Sequence, residues 1–465
     1  MTDGPVRRTI AEHAAAVLAR VAPLPAVPLA LPDAAASGLG LVLARDVVAA
    51  AAVPPFDHAA MDGYAVRLAD LPDDGTPVTL PVTGSVHPGS AAVGMISGPN
   101  RPDDPDKTDQ KSCPQRSGGR GRRAVRIMTG APLPAWADAV VPVERTSTGR
   151  FVAGGAAVEQ EVTLSRPART HVRTAGEDLR TGDVLARAGD EVTPALVAVA
   201  AAAGLSELWV HRRPRVAVLS TGSELVAATA TAAPGAVPDS NSLMLAALAR
   251  AAGADVVRVG AVPDDAAALR TALDGVVSGP VAHSEARNRA DSPLTTVDLV
   301  VTSGGVSAGA SDVVREVLAS ADPALSDVEL AAVAMRPGRP QALARWRGVP
   351  WVAVPGNPVS AFVSFALFVR PAIARLAGGA PPAARTARAA VAWGTPPGRE
   401  AVVPVRVLGS GEVEPAAPLH GAADGAGHHL SALLAADALA IVPADVEKVA
   451  AGDEVTVLGL PGRHR

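Results

Sequence analysis

The chain has 465 residues, more than a single compact core accommodates, so its length predicts about three domains. A formal net charge of -4 gives no electrostatic reason to expect nucleic acid as a partner, and 48% hydrophobic residues with only 2% aromatic residues predict an aliphatic core. The single cysteine, Cys113, excludes an intramolecular disulfide bond and a multi-cysteine zinc site, and it fits a reducing cytoplasm.

The sequence carries no pattern typical of secretion or membrane insertion. Residues 1–20 include Glu12 where a signal peptide needs an apolar region. The apolar stretch 351–369 is interrupted between Pro355 and Pro358, so it does not predict one membrane-spanning helix. We expect a soluble, cytoplasmic protein with no membrane partner.

In chain order, the first predicted element is an amphipathic helix over residues 9–20. Thr9 and Glu12 have the spacing of a capping box. Four prolines within 23–32 predict an extended connector, and 39–49 predicts a short helix leading into a strand. A new unit is expected to begin near residue 50.

The segment 53–66 packs two prolines, two aspartates and the only tyrosine into a turn-rich stretch. One interpretation is the first turn of a β-rich domain, in which Phe56 and Tyr64 are packing anchors. The other is a loop that presents Asp57 and Asp62 to a ligand. The residues alone leave both interpretations open.

The next hundred residues predict short strands around a polar insertion. Strands are expected within 76–96, and two more within 121–144. Between them, 97–123 is almost free of apolar residues and predicts a disordered, solvated loop. Weak alternation over 145–175 predicts a further strand.

After a helix-like segment at 193–205, a repeated alternation of strands and helices begins at residue 215, which predicts a parallel sheet with right-handed crossovers. A surface insertion is expected at 280–296, and the short β runs of 386–465 predict a small β-barrel or sandwich. The α/β elements are expected at 193–205 (helix), 216–219 (strand), 242–251 (helix), 255–260 (strand), 264–277 (helix), 299–301 (strand), 328–334 (strand), 350–354 (strand) and from about 357 (helix).

Parallel sheets bind ligands beyond the carboxyl ends of their strands, and four polar loops are predicted there. They are 220–224, 302–312, 335–340 and 355–360. Their glycines allow the backbone to approach a ligand, and Arg336, Arg339, Glu224 and Asp312 add charge, so we expect a cleft for an anionic ligand. Asp312 suits either a helix cap or a carboxylate that holds Mg²⁺ against a phosphate.

These motifs together resemble the molybdopterin molybdenumtransferase family, the MoeA type whose animal relative is the E domain of gephyrin. The blocks occur in the family's order over nearly the whole chain: PPFDHAAMDGYAV, AVRIMTGAPLP, RTAGED, STGSEL, PDSNS, TSGGVSAGASD, RPGRP and PGNPVSA. The resemblance implies a multidomain α/β protein with a three-layer molybdopterin-binding domain, a β-rich second domain, an elongated connector domain and a C-terminal β-barrel. The implied boundaries are 1–27 (N-terminal helix on the α/β core), 28–50 and 145–178 (connector), 51–144 (β-rich), 179–380 (α/β) and 386–465 (barrel).

The resemblance also implies the activity and its site. Adenylylated molybdopterin and molybdate would give molybdenum cofactor and AMP, with Mg²⁺ required, in a homodimer whose partner's β-rich domain closes the cleft. The implied catalytic residues are Asp62, Asp138, Glu177, Asp312, Arg336 and Arg339. The implied metal ligands are Asp312, Asp239 and Glu224. The implied pterin- and nucleotide-binding residues are Ser220, Thr221, Gly222, Glu224, Asp239, Asn241, Ser303, Gly304, Gly305, Ser307, Gly309, Pro337, Gly338, Gly356, Asn357, Pro358 and Ser360.

Two departures from the family pattern affect what the resemblance implies. Many relatives carry an aspartate where this chain has Ser223, so Glu224 or water would have to replace a carboxylate. Arg336 and Arg339 stand where the family usually has lysines. They keep the positive charge, but the guanidinium group is bulkier and presents its hydrogen-bond donors in a planar fork. A non-catalytic molybdopterin-binding scaffold and a molybdopterin adenylyltransferase are the alternative functions. The implied partners are an upstream adenylyltransferase and downstream molybdoenzymes or their chaperones.

Overall fold

The computed structural model describes residues 5–90, 121–152, 159–230, 233–278, 297–307, 312–420 and 429–460. The chain divides into two compact units. Unit 1 comprises residues 1–45, 187–194 and 207–465, and unit 2 comprises 46–186 and 195–206. Most of the predicted insertion 97–123, the insertion 280–296 and Gly309 lie outside the described residues.

The helices are α1 (Ile10–Leu18), α2 (Leu31–Ser37), α3 (Pro194–Ala202), α4 (Ser240–Ala251), α5 (Ala266–Ser278), α6 (Val313–Ala319), α7 (Pro358–Ser364) and α8 (Arg370–Leu376), with short 3-10 turns at Leu68–Asp70, Val143–Arg145 and Leu430–Leu434. A π-helical segment, Phe365–Val369, joins α7 to α8. In the described part of the chain, the continuous helix Pro358–Leu376 alone is long and apolar enough to cross a membrane, but 78% of its most apolar window is buried in the protein. Its burial is that of a core helix.

The strands of the first half are β1 (Val6–Arg8), β2 (Ala26–Ala30), β3 (Val47–Val48), β4 (His58–Ala59), β5 (Gly63–Val66), β6 (Val78–Val86), β7 (Ala124–Ile127), β8 (Ala139–Pro142), β9 (Glu161–Leu164), β10 (Val172–Arg173), β11 (Val184–Ala186), β12 (Glu207–His211), β13 (Arg215–Thr221), β14 (Leu225–Val226) and β15 (Val237–Pro238). Those of the second half are β16 (Asp255–Val262), β17 (Leu299–Ser303), β18 (Leu325–Val333), β19 (Met335–Arg336), β20 (Pro340–Trp346), β21 (Val349–Val354), β22 (Arg385–Arg388), β23 (Trp393–Gly394), β24 (Glu400–Val407), β25 (Val413–Pro415), β26 (Ala438–Val442), β27 (Lys448–Val449) and β28 (Glu454–Gly459).

Unit 1 is built on a central sheet whose described strands have the order β1-β18-β20-β21-β17-β13-β16. The predicted parallel sheet is confirmed for most strands, but β20 was missed and runs antiparallel to both neighbours. A two-residue turn, Arg347 and Gly348 at φ of 48° and 82°, connects β20 to β21 as a hairpin. The other six strands run in one direction, so their carboxyl ends share an edge.

Helices cover both faces of this sheet, as the apolar runs predict. Successive buried residues of β13 and β17 belong alternately to two core clusters, because side chains alternate across a strand. One cluster joins α1, α4, α7 and α8 to one face, and the other joins α5 and α6 to the opposite face. The result is a three-layer α/β/α arrangement.

The N-terminal helix α1 confirms its predicted capping box. Thr9 N donates to Glu12 Oε2 at 2.8 Å, and Glu12 N donates to Thr9 Oγ1 at 3.2 Å. These hydrogen bonds lower the pKa of Glu12. The short helix predicted at 39–49 is wrong: the helix is α2, and 39–46 is irregular. Pro32 fits the first turn of α2, where its missing N–H costs nothing, and Gly40 at φ 76° follows the helix end.

Unit 2 contains a five-stranded sheet of described residues in the order β8-β5-β7-β6-β9. Tyr64 is fully buried in it, and its hydroxyl donates to Glu159 Oε2 at 2.7 Å. Burial, followed by the hydrogen bond to Glu159, raises the pKa of Tyr64. The interpretation of Tyr64 as a packing residue is confirmed. The single strand predicted over 145–175 is instead two strands, β9 and β10.

The C-terminal residues form a second sheet of unit 1, in the order β19-β24-β26-β28-β22, with β25 on β24. The predicted β-rich character is confirmed. Its first strand, β19, comes from the α/β segment, so Met335 and Arg336 pair with Glu400 and Ala401. This pairing joins the loop after β18 to the C-terminal sheet.

Candidate functional site

The candidate site lies at the carboxyl edge of the central sheet, where the four predicted loops emerge. A cleft of about 650 Å³ lies there, within the size range of ligand pockets. Pro340 brings the loop after β18 into its lining. The predicted binding residues that line the cleft are Thr221, Gly222, Glu224, Asn241, Ser303, Gly304, Gly305, Ser307, Asp312, Gly356, Asn357 and Ser360. The fold thus brings all four predicted loops to one cavity.

Close backbone packing explains the glycines after β17. Gly304 has a φ of 100°, which residues with side chains rarely adopt, and a Cβ there would lie 2.6 Å from the Thr221 carbonyl oxygen. A Cβ on Gly356 would lie 3.3 Å from the Gly304 Cα. The loops after β13, β17 and β21 therefore touch through their main chains, leaving bare backbone at the cleft wall.

Asn241, near the start of α4, holds two of these loops together. Its Nδ2 donates to Ser303 Oγ at 2.8 Å and to the Gly356 carbonyl oxygen at 2.7 Å. Ser303 Oγ donates in turn to the Pro355 carbonyl oxygen at 3.1 Å. Asn241 is only 9% exposed, and its Oδ1 has no hydrogen-bond partner within the described chain. Buried side-chain polar atoms in native structures usually have a hydrogen-bond partner, so Asn241 Oδ1 is an exception.

Asn357 caps α7 at the cleft. Its Oδ1 accepts hydrogen bonds from Val359 N and Ser360 N, both at 3.1 Å, and Pro358 occupies the first turn. Ser220, also predicted here, is fully buried at the end of β13 and does not line the cleft. Pro358 lies in the first turn of α7, and it does not line the cleft either.

Asp312 occupies the N-cap position of α6, but its side chain makes no capping hydrogen bond. Ser307 Oγ instead donates to Asp312 Oδ2 at 3.1 Å, and Arg315 Nη1 donates to the Ser307 carbonyl oxygen at 2.7 Å. The capping alternative is therefore wrong for the side chain. The carboxylate is held by Ser307 at the wall of the cleft, where it suits a ligand.

Asp264 is a cleft residue that sequence reasoning missed. It follows β16, and it forms two hydrogen bonds with Ser223: Ser223 N donates to Asp264 Oδ2 at 3.0 Å, and Asp264 N donates to Ser223 Oγ at 3.0 Å. The other lining residues that were not among the predicted binding residues are Leu225 and, inside the predicted loops, Val306, Pro340 and Pro355. The sequence pattern that could have identified Asp264 is Pro263 followed by two aspartates after a predicted strand. An ordinary helix start has the same pattern, so it did not distinguish a cleft residue.

The position of Asp239 does not support its predicted role as a metal ligand. It is only 3% exposed, caps α4, and accepts hydrogen bonds from Ser242 N at 3.0 Å and Ser242 Oγ at 2.5 Å. Arg258 Nη1 also donates to Ser242 Oγ at 3.1 Å. Asp239 is not among the described residues that line the cleft. Its carboxylate is committed to the helix cap.

The loop after β18 carries Arg336 and Arg339, which are both exposed. Neither is among the described residues that line the cleft, although Pro340 is. Gln341 Nε2 fixes this loop from inside by donating to the Gly338 carbonyl oxygen and to Ser364 Oγ, each at 2.7 Å. Pro337 and Gly338 are buried within the loop and do not reach the cleft wall.

The remaining predicted catalytic residues, Asp62, Asp138 and Glu177, lie in unit 2. Asp62 Oδ1 accepts a hydrogen bond from Thr129 N at 2.7 Å, and Asp138 Oδ1 accepts one from Leu68 N at 2.7 Å. Arg173 Nε donates to Glu177 Oε1 at 2.5 Å. This hydrogen bond, with one from Thr174 N, lowers the pKa of Glu177. The three carboxylates are thus each fixed by local donors.

The cleft offers oxygen donors of the kind that Mg²⁺ prefers. Glu224, Asp264 and Asp312 line it. No group of three or more His, Cys, Asp or Glu side chains among the described residues is close enough to hold a metal ion. Magnesium usually binds one or two carboxylates together with substrate phosphates and waters, so the donor set fits this cation.

Three family models match the chain. The "MoeA N-terminal region (domain I and II)" matches residues 8–204, the "Probable molybdopterin binding domain" matches 217–375, and the "MoeA C-terminal region (domain IV)" matches 386–460. The second range contains all the residues that line the cleft.

Relatives of known name match over most of the chain. "Molybdopterin molybdenumtransferase 2" of Mycobacterium tuberculosis is 40% identical over 432 residues, 90% of this chain and 93% of its own. "Molybdopterin molybdenumtransferase" of Haemophilus influenzae is 33% identical over 72% of this chain and 70% of its own. A crystal structure of a "molybdopterin biosynthesis moea protein" from Pyrococcus horikosii has a TM-score of 0.74 at 26% identity and covers 98% of this chain and 99% of that one.

Proposed function

The chain belongs to the MoeA family of molybdopterin molybdenumtransferases, and on that premise we propose that it inserts molybdate into adenylylated molybdopterin. AMP leaves, and the molybdenum cofactor is formed. The observation that carries the proposal is the convergence of bare backbone, small polar side chains and carboxylates in the cleft of unit 1. Such a site suits a ligand that joins a neutral heterocycle to a charged pyrophosphate.

The proposed reaction exchanges metal–oxygen bonds for metal–sulfur bonds. Two dithiolene sulfurs bond to molybdenum, and two molybdate oxygens leave as water after taking up protons. One water breaks the phosphoanhydride bond, so its oxygen and protons divide between the pterin phosphate and the departing AMP. Molybdenum keeps its oxidation state, and no oxidant or reductant is required.

Within this proposal, each group of residues has a distinct task. The backbone around Gly304 and Gly356 lies against the phosphates. Asp312, fixed by Ser307, and Glu224 are the residues that would hold Mg²⁺, which would supply positive charge beside the phosphates of the ligand. Arg336 and Arg339 hold molybdate by charge-assisted hydrogen bonds; their exposure next to Pro340 is compatible with capture of an oxyanion from solvent.

The finer architecture is part of the same proposal. The protein would be a cytoplasmic, elongated homodimer with the domain boundaries given above and a C-terminal barrel. The partner's β-rich domain would bring Asp62, Asp138 and Glu177 to the cleft of the first subunit. An adenylyltransferase would supply the substrate, and molybdoenzymes or their chaperones would receive the product.

The decisive experiment measures AMP released from adenylylated molybdopterin by the purified protein, with Mg²⁺ and with or without molybdate. Molybdate should stimulate release, and Asp312→Asn should lower the rate by roughly tenfold or more, because it removes a charge that faces the ligand. Glu316→Gln is the matched control: it removes a carboxylate from the first turn of the same helix, and Glu316 does not line the cleft.

If Asp312→Asn and Glu316→Gln lowered the rate of AMP release equally, the reaction would not take place at this cleft. A folded protein that binds AMP but releases none in the presence of molybdate would contradict the insertion reaction and favour the non-catalytic scaffold. ATP-dependent formation of adenylylated molybdopterin would instead favour the adenylyltransferase.

A further inference from the structure

The main chain on either side of the turn between Arg336 and Arg339 is held by backbone pairing. On one side, Met335 and Arg336 pair with the first residues of β24. On the other side, the Arg339 carbonyl oxygen accepts a hydrogen bond from Val333 N at 2.8 Å. The placement of the two guanidinium groups relative to each other therefore depends on the turn 337–338 between them.

Gln341 holds this turn from inside the protein. Its side chain is only 1% exposed, and its Nε2 donates to the Gly338 carbonyl oxygen and to Ser364 Oγ, each at 2.7 Å. Gly338 has a φ of 105°, and a Cβ there would lie 3.2 Å from Ser364 Oγ. The turn therefore packs directly on Ser364, the last residue of α7, and Gln341 is bonded to both.

The amide of Gln341 is poorly suited to a role in stability alone. Its Oε1 is buried and has no hydrogen-bond partner within the described chain. This unsatisfied oxygen offsets much of the stabilisation that the two Nε2 hydrogen bonds contribute, and an apolar side chain of the same length would avoid it. What an apolar side chain could not supply is a donor for the Gly338 carbonyl oxygen. The amide thus serves the conformation of the turn.

Helix α7 connects the same turn to the wall of the cleft. Asn357 and Ser360, at the start of the helix, line the cleft, whereas Ser364, at its end, accepts the hydrogen bond from Gln341. Pro340, the residue before Gln341, lines the cleft as well. Gln341 therefore fixes the turn that carries the two arginines to a helix of the site.

We propose that Gln341, supported by Ser364, is a positioning residue that holds the turn between Arg336 and Arg339 in the conformation that binds the oxyanion substrate. The proposal rests on the proposed function for the identity of that oxyanion, molybdate. Gln341 does not touch the substrate. It acts through the two arginines, because a turn that is ordered beforehand loses less conformational entropy when the oxyanion binds.

The test measures molybdate binding to the full-length, AMP-saturated protein by isothermal titration calorimetry. Gln341→Met keeps the length of the side chain and removes both donors, so we expect about tenfold weaker molybdate binding. AMP affinity, measured separately, should be unaltered, because Asn357 caps the start of α7 without Gln341. The Tm should change by less than about 4 °C, since the amide contributes little to stability.

The matched control is Ser320→Ala. Ser320 follows α6 on the opposite face of the sheet, and its hydroxyl donates to the Val317 carbonyl oxygen at 2.6 Å. The substitution removes a partly buried hydrogen bond away from the turn, so molybdate affinity should stay as it is in the unsubstituted protein.

A pair of variants at Ser364 tests the support from α7. Ser364→Thr and Ser364→Val add the same methyl group at a fully buried position, but threonine alone of the two keeps an acceptor for Gln341 Nε2. Molybdate binding should therefore be weaker in the valine variant than in the threonine variant by about threefold or more. Equal affinities of the two would contradict the support from Ser364.

Three results would overturn the role of Gln341. One is a molybdate affinity of Gln341→Met equal to that of Ser320→Ala. Another is a parallel loss of AMP affinity, which would show that Gln341 maintains the whole cleft. The third is the absence of molybdate binding by the unsubstituted protein, which would show that the turn does not bind an oxyanion.

The outcomes also separate this inference from the proposed function. If no AMP is released with molybdate while Gln341→Met still weakens molybdate binding, the insertion reaction fails and the positioning role of Gln341 stands. If AMP release depends on molybdate but molybdate affinity is the same in Gln341→Met, the reaction stands and the positioning role fails.

Discussion

His13 shows how a single buried residue links stability to pH. It is fully buried in α1, its ring lies edge-on to Phe368 with centroids 4.6 Å apart, and both ring nitrogens have no hydrogen-bond partner among the described residues. Burial, and then the charges of Arg8 and Arg20, lower its pKa from 6.5 to about 3. The folded protein therefore keeps this ring neutral.

The pH dependence that follows has a definite sign. Between pH 3 and 6.5 the unfolded chain binds a proton at His13 and the folded chain does not, so the free energy of unfolding should rise with pH across this window and gain nothing from His13 above it. His13→Leu should reduce the slope and stabilise the fold, since it removes two unsatisfied nitrogens. Denaturant unfolding at a series of pH values measures both effects.

The matched control is the exposed His87, whose replacement by Gln should leave the slope as it was. An unchanged slope in His13→Leu would show that His13 is protonated in the folded state, contrary to its burial.

At the scale of elements, the turn from β17 into its loop determines the shape of the cleft wall. Gly304→Ala places a Cβ 2.6 Å from the Thr221 carbonyl oxygen at a φ of 100°. We expect loop displacement, a stability loss of about 1–3 kcal/mol and at least tenfold weaker AMP binding, measured by calorimetry.

Gly275→Ala is the matched control, because Gly275 lies inside α5, where a Cβ meets nothing within 4 Å. It should raise the free energy of unfolding by about 0.5–1 kcal/mol and leave AMP binding unaltered. Normal binding by Gly304→Ala would show that the wall tolerates movement of this loop.

At the scale of the whole molecule, the N-terminal residues complete unit 1. Strand β1 pairs in parallel with β18, and Glu329 on β18 accepts a hydrogen bond from Arg8 Nη2 at 2.9 Å and lies 3.5 Å from Arg20 Nη2. Arg8 and Glu329 are separated by 321 residues in sequence. Their side chains are each 19% exposed, so solvent screens the ion pair only partly.

Glu329→Gln should therefore lower the free energy of unfolding by about 2 kcal/mol, because two mostly buried guanidinium groups lose their counter-charge. Asp327→Asn is the control two residues away. Its carboxylate pairs with Arg345 but is 57% exposed, so the expected loss is below about 1 kcal/mol. Equal losses in urea unfolding would show that the link between β1 and β18 contributes no more than a surface pair.

Local patterns predicted a large part of the fold and of the site. The apolar runs of β13, β17 and β21 identified buried strands, and glycine-rich loops after them identified the cleft, since both properties depend on residues adjacent in sequence. The predictions were wrong where one sequence pattern is compatible with two kinds of secondary structure. Residues 39–49 have helical spacing yet are mostly irregular. Strand β20 contains Pro340, Gln341 and Arg345, so its sequence lacks the continuous apolar run that is typical of a buried strand.

The sequence by itself determined the class of fold, the family and most of the loops at the carboxyl edge. Only the tertiary structure decided which carboxylates belong to the cleft. Asp239, Asp264 and Asp312 each stand next to a helix start, so their local patterns are alike. The fold engages Asp239 in a cap, pairs Asp264 with Ser223 and holds Asp312 by Ser307. A carboxylate's role depends on which donors the fold brings to it, and those donors come from other loops or from the turn of the helix itself.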